Sequence, residues 1–237
     1  MLTSFFQSLP RFGRRWTPLN FTNTNFIRIP ASQTVEEEII PGYSAVRYYP
    51  TCIGEIIKER YQVVGKLGFG ASSTVWLARD MDYRRYVALK VFISSASMGQ
   101  QLDAELNVYK RIDAASSRHR GRPFVRSLLD SFDINGPEDK HRCLVHPPLW
   151  ESMLDFLHRN PIQRLPAPIL VVTLHRLFLA LDYLHTECKI IHTDIKADNV
   201  MFGIDDDSVF SDFENNELEN PYPRKEAPLS FAILAPL

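Results

Sequence analysis

Residues 190–202 read IIHTDIKADNVMF and hold His192, Asp194 and Asn199 in the spacing H-x-D-x-x-x-x-N. No other segment constrains the fold so strongly. A carboxylate and a carboxamide must be aimed from one loop into one cleft. A loop does this only if it leaves one rigid element and enters another. The apolar run Ile169–Leu184, broken by His175, Arg176 and Asp182, reads as the buried helix that delivers the chain, spanning about 166–186. A strand is expected after the loop. In that setting Asp194 can accept the proton of a hydroxyl, and Asn199 can reach a metal ion.

The spacing could arise by chance, so related signals are needed upstream. Residues 67–75 read LGFGASSTV, between β-like runs at Tyr61–Leu67 and Thr74–Ala78. This is a strand–turn–strand flap, not a Walker loop, which needs G-x-x-x-x-G-K-[ST]. Gly68 and Gly70 let the backbone approach phosphate oxygens with no Cβ between. Ser73 stands where a third glycine would complete G-x-G-x-x-G. Alone the motif is weak; VALK follows at strand spacing, residues 87–90, and strengthens it.

Lys90 ends an apolar β-like run, so it is either a snorkelling surface residue or a phosphate ligand. A partner for it would lie on the segment QQLDAELNVYKRI, residues 100–112, where Leu102, Leu106, Tyr109 and Ile112 recur at helical spacing. Glu105 is the acidic residue of choice on that helix. Its alternative is an exposed charge paired locally with Lys110.

Taken together these motifs resemble those of the protein kinases, and within them the SR-protein kinases, the serine/threonine kinases of splicing factors. The likeness lies in YYPTCIGEIIKERYQVVGKLGFGASSTVWLARD, in VALKVF and in IIHTDIKADN, covers roughly residues 36–225, and is greatest to fungal members. The resemblance implies an α+β, two-lobed kinase fold: a five-stranded antiparallel small lobe with one helix, and an incomplete helical large lobe. Strands are expected near 61–67, 74–80, 86–93, 125–133 and 141–146, and helices near 100–113, 153–158 and 166–186. Residues 1–50 would be a disordered or extended lead-in, 51–146 the small lobe and 147–237 a partial large lobe.

The resemblance also implies roles. MgATP is the cofactor. Leu67, Gly68, Phe69, Gly70, Ala71, Ser72, Ser73, Thr74 and Val75 would cover the nucleotide, with Ala88 beside it. Lys90, oriented by Glu105, would hold the α and β phosphates. CLVHPPL, residues 143–149, would be the hinge, with His146 at its gate, the Pro147 carbonyl and the Leu149 N–H facing adenine. Proline lacks an N–H but keeps its carbonyl, so the two prolines do not forbid this. Asp194 would be the base, Lys196 would neutralise the γ phosphate and Asn199 would bind one of two magnesium ions. Thr193 replaces the arginine of the commoner H-R-D, which implies independence from activation-loop phosphorylation. The substrate would be a protein, with Arg/Ser-rich splicing factors the implied class. The expected chain is a monomer that binds neither nucleic acid directly nor membrane.

Composition adds limits. A formal net charge of −1 gives no global argument for nucleic-acid binding. Cys52, Cys143 and Cys188 are scattered and odd in number, which fits a reducing compartment. No run reads as a transmembrane helix. The first 35 residues contain Arg11, Arg14, Arg15 and Arg28 with no Asp or Glu, a composition shared by mitochondrial transit peptides and by basic disordered leaders. The resemblance favours cytoplasm or nucleus, with the mitochondrion as alternative.

Ser211-Asp212-Phe213-Glu214 lies at a distance from Asp194 that would suit the second metal ligand of a D-F-G. Glu214 in place of glycine, and an acidic setting like the insert of fungal relatives, favour reading it as an insert. The closing residues, APLSFAILAPL, do not resemble the family. A partial large lobe would leave the 166–186 helix uncovered on one face and the chain prone to aggregate. A non-catalytic, nucleotide- or partner-binding product is therefore the alternative to an active kinase.

Overall fold

The computed structural model describes residues 14–225; the closing segment beyond Lys225 lies outside them, as do residues 1–13 of the basic leader. Six strands form one sheet: β1 (Ile56–Ile57), β2 (Tyr61–Phe69), β3 (Ser73–Asp80), β4 (Arg85–Ser94), β5 (Asp130–Asn135) and β6 (Lys140–His146), in the order β1-β2-β3-β4-β6-β5. The helices are α1 (Ser95–Met98), α2 (Gln100–Ala114), α3 (Met153–Arg159), α4 (Ala167–Thr186) and α5 (Ser208–Glu219). The chain groups into two compact units. A sheet unit takes residues up to Ser97, Phe132–Cys143 and those from Ser208; a helical unit takes Met98–Ser131 and Leu144–Asp207.

The sheet has one strand more than expected. β1 pairs antiparallel with the start of β2, Ile56 opposite Gln62 and Ile57 opposite Tyr61. Two residues carry no alternating pattern, so the sequence offers no signal for it. β5 starts at Asp130 instead of near 125; a 3-10 turn at Arg122–Phe124, containing Pro123, precedes it. In the β2–β3–β4 meander, Val63, Val64, Leu77, Ala78, Val87 and Leu89 are fully buried. The valine and leucine side chains among them contribute about 1.5–3 kcal/mol each relative to exposure. Register shifts at Val63/Gly65 and Lys66/Gly68 bend β2 as it approaches the glycine-rich tip.

Residues 14–50 lie on the sheet unit through individual contacts. The Trp16 N–H donates to the Met81 carbonyl at 2.9 Å, and its ring meets Tyr86 edge-on. The side chain of buried Gln62 exchanges two hydrogen bonds, each 2.8 Å, with the backbone of Leu19. The segment expected as extended linker contains two 3-10 turns, Glu36–Ile39 and Ala45–Arg47.

Residues from Ser208, assigned by the sequence to the large lobe, group with the sheet unit instead. The reason is packing on α5. Phe210 is buried with its ring centroid 5.3 Å from that of Tyr86, and Phe213 stacks on Tyr222. Phe213 also lies where a Cβ on Gly65 would sit 2.6 Å from its ring, so Gly65 makes room for it. The Asn23 amide donates to the carbonyls of Leu218 and Glu219 at 3.0 and 2.8 Å, capping α5. Arg224 and Ile29 join the two segments by backbone hydrogen bonds.

In the helical unit, Ile112, Tyr183, Leu184 and Cys188 form a core flanked by Tyr109, Ala115, Val125 and Ile190. The Tyr183 hydroxyl donates to the Ile112 carbonyl at 2.9 Å. The expectation of a buried 166–186 helix holds only for the end of α4. Upstream, Val171 is 66% and Phe178 63% exposed. By length and composition alone α4 could also cross a membrane, contrary to the sequence reading; it is the one such helix among the described residues.

Candidate active site

The glycine-rich tip lies in the sheet unit. A Cβ on Gly68 would meet nothing within 4 Å, and one on Gly70 would meet only the Ser73 carbonyl oxygen at 3.8 Å. The fold therefore does not require glycine at either place; a closely approaching ligand would. The Gly70 N–H donates to the Ser73 carbonyl at 2.8 Å and closes the turn. The N–H groups of Ala71 and Ser72 have no acceptor among the described residues. These two amides, rather than that of Gly70, are the donors a phosphate can use. Leu67 and Phe69 are exposed, while Ser73 and Thr74 are buried as β3 begins.

Ala88 is buried opposite Leu77, and Lys90 lies opposite Val75, in the β3–β4 register. The Lys90 ammonium sits 4.6 Å from the Phe92 ring centroid. Glu105 belongs to α2 of the helical unit, near Tyr109 and Arg126. Burial, followed by the Glu105 charge, pushes the Tyr109 phenol up to about 12. Burial also lowers the pKa of Arg126, against the opposing pull of Tyr109 and Glu105. Sequence reasoning did not single out Arg126, and no spacing marks it. It touches the hinge through a long 3.5 Å hydrogen bond from Nη2 to the Pro147 carbonyl. The Leu149 N–H has no acceptor among the described residues. His146 is buried, with Nδ1 2.9 Å from the Ser127 carbonyl and its ring against Tyr109.

The catalytic loop is tied at both ends within the helical unit. At its start, Arg111 donates to the carbonyls of Cys188 and Lys189 at 3.0 and 2.6 Å. Its return is a single bridge, Ser152 with Met201, not the expected strand. Hydrogen bonds from Met153 N to Val200 O (2.8 Å) and from Trp150 N to Phe202 O (2.9 Å) extend that anchor. Ser152 also caps α3 through a reciprocal pair with Asp155, so the anchor is itself braced.

Between these ties, Asn199 Nδ2 donates to both the carbonyl and Oδ2 of Asp194, at 2.8 and 2.9 Å. The Lys196 ammonium is 3.7 Å from the same Oδ2. The three residues chosen from the sequence thus converge on one exposed carboxylate. Thr193 has φ 44°, and the Asp194 N–H turns back onto the His192 carbonyl across it. A β-branched residue is strained there, immediately before the exposed Asp194 carboxylate.

No cluster of three or more His, Cys, Asp or Glu suited to a metal occurs among the described residues. Magnesium is usually held by one or two protein oxygens plus phosphates. The bonded Nδ2 of Asn199 leaves Oδ1 for a cation, so Asn199 fits that role. Asp212 lies exposed on α5 of the sheet unit. Its helical setting is fixed by Phe210 and Phe213.

Comparison with known proteins identifies the family and the fold. The protein kinase domain family model matches residues 61–225. A serine/threonine protein kinase of Aspergillus fumigatus is 38% identical over 224 residues, 94% of this chain and 52% of that one. SRSF protein kinase 3 of Mus musculus is 37% identical over 175 residues, 74% of this chain and 31% of that one. Protein kinase dsk1 of Schizosaccharomyces pombe is 39% identical over 174 residues, 73% and 32% respectively. The crystal structure of a kinase domain superposes with a TM-score of 0.60 at 21% identity, over 70% of this chain and 46% of the other, a likeness of fold. The chain spans about half the length of the Aspergillus relative and about a third of the others.

Proposed function

We propose, from the premise that this chain belongs to the protein kinase family, that it carries the nucleotide-binding and hydroxyl-activating parts of a serine/threonine kinase of the SR-protein-kinase kind. The observation that carries this reading is the Asn199–Asp194–Lys196 constellation. Asp194, oriented by Asn199, accepts the proton of a serine or threonine hydroxyl. Lys196 offsets negative charge beside that carboxylate. Asn199 Oδ1 is the metal-facing acceptor. The Ala71 and Ser72 amides and Lys90 hold phosphate oxygens, and Glu105 is the acidic residue that the family resemblance assigns to Lys90. The Pro147 carbonyl and the Leu149 N–H face adenine. MgATP, when bound, supplies the transferable phosphoryl group. Arg/Ser-rich proteins are the proposed substrates, on the strength of the SRSF protein kinase among the relatives. A cytoplasmic or nuclear site fits best, because Trp16 and Leu19 are built into the sheet unit and removing a leader that held them would break those bonds.

The second reading, nucleotide binding without transfer, is favoured by the helical, exposed setting of Asp212. Labelled phosphate transfer from ATP to an Arg/Ser-rich peptide, beside ATP binding by calorimetry, separates the two. Transfer that falls by about 10²–10⁴-fold in Asp194→Ala, with ATP binding kept, supports the first reading. Wild-type protein that binds ATP but transfers nothing supports the second.

A further inference from the structure

The segment before β1 reaches the glycine-rich tip. The Tyr48 hydroxyl lies 3.1 Å from the Gly70 carbonyl oxygen and 3.3 Å from that of Ala71. We propose that Tyr48 is a positioning residue for phosphate binding, which holds these two carbonyls so that the Ala71 and Ser72 amides face the nucleotide. The proposal rests on the reading that the tip covers nucleotide phosphates.

The reason is peptide geometry. In a planar trans peptide the C=O and the following N–H point in opposite directions. Drawing the Gly70 carbonyl toward Tyr48 turns the Ala71 N–H away from it. Drawing the Ala71 carbonyl does the same to the Ser72 N–H. Those are the two tip amides that lack acceptors among the described residues. A phenol has one proton to donate, so it is shared between two carbonyls at distances longer than a strong O–H···O bond. The contact therefore biases the tip and leaves it able to move.

Tyr48 is itself fixed. Its N–H closes the 3-10 turn onto Ala45, and its ring lies 5.2 Å from that of Tyr43. Burial and the nearby Glu37 charge raise its pKa, which keeps the donor proton in place. Two residues before Gly68, Lys66 pairs with Glu36 and Glu37 of the same segment. Residues 36–48 thus brace the hairpin at its β2 arm and at its tip. Tyr48 opens the first stretch that resembles the kinases, but its spacing from Gly70 gives no hint of contact.

Tyr48→Phe removes the hydroxyl and keeps the ring, and the full chain is the protein to use. ATP and adenosine binding are measured by calorimetry, and amide exchange at Ala71 and Ser72 by nuclear magnetic resonance. The expected result is an ATP dissociation constant raised about three- to fivefold, the scale of one long shared hydrogen bond, with adenosine unchanged and faster exchange at both amides. Unchanged ATP affinity with unchanged exchange would overturn the proposal. So would an equal loss of ATP and adenosine binding with a lowered melting temperature, which marks a merely structural role. If wild-type protein binds neither ligand, the kinase reading fails, and the exchange rates still decide whether Tyr48 orders the tip.

Discussion

The two loops that carry the chemistry are supported in opposite ways. Within the catalytic loop the carboxylate is set by the loop's own atoms, since Asn199 bonds Asp194 five residues away; only the ends of the loop depend on distant residues, Arg111 at its start and Ser152 and Met153 at its return. The glycine-rich hairpin is held from a distance in sequence. Tyr48 reaches Gly70, Glu36 and Glu37 reach Lys66, and Phe213 of α5 fills the space beside Gly65. A locally held loop can be read from a motif, because its spacing encodes its contacts. A remotely held one cannot, because its braces are single residues without periodicity.

The largest expected effect tests whether the helical unit is as rigid behind its loop as this contrast requires. A Cβ on Gly121 would fall 1.8 Å from the Leu179 carbonyl oxygen, within the backbone of α4. Backbone cannot rotate away as a side-chain end can. Gly121→Ala should cost about 3 kcal/mol or more, with α4 amides losing exchange protection. A loss under about 1 kcal/mol would show that α4 shifts freely, and that the catalytic loop's support is softer than its hydrogen bonds suggest.

The same contrast sets what could be read before any coordinates. β2, β3 and β4 follow from the β-like apolar runs around Gly68 and Lys90, and α2 from the period of Leu106, Tyr109 and Ile112. Asp194 and Asn199 follow from spacing, and Lys196 from the resemblance to the kinases. The placement of α5 does not. Its Phe210 and Phe213 sit at helical spacing, which was an available signal. Asp212 and the paired Asn215 and Asn216 are weaker helix formers, and the acidic stretch reads as an insert. Glu217 hid the buried face: a carboxylate only 1% exposed is tolerated there because Arg224 and the Tyr222 N–H meet it. The Trp16–Leu19 strap had no signal, since irregular chain held by point contacts carries no period.

A smaller effect probes the remote brace in the sheet unit. At Gly65 the obstacle to a Cβ is the tip of the Phe213 ring, at 2.6 Å. A ring end can give way, so Gly65→Ala should cost about 1–2 kcal/mol, well below Gly121→Ala. Exchange protection should fall first in α5, because displacing Phe213 loosens that helix from β2. Protection lost evenly across β2–β4 with α5 intact would break the assignment of α5 as part of the hairpin's support.

The smallest effect has a sign set by pH. Glu214 Oε2 lies 3.0 Å from Arg79 Nε, with both side chains largely buried, yet neither atom completes a hydrogen bond. Burial outweighs the attraction, so the Glu214 pKa is raised above its usual 4.5, with Arg79 and the Tyr86 hydroxyl pulling the other way. The folded chain then binds this proton more tightly than the unfolded chain does. The contribution is fully present below the unfolded value and is lost as pH rises through the raised folded value. Glu214→Gln removes the titration. Urea midpoints taken between about pH 4 and pH 7 should show wild type losing stability relative to this variant as pH rises, by a fraction of the Gly65→Ala effect. A difference that instead grows in favour of wild type would make the Arg79 contact a stabilising ion pair, and would strengthen α5 as a brace beyond what its geometry supports.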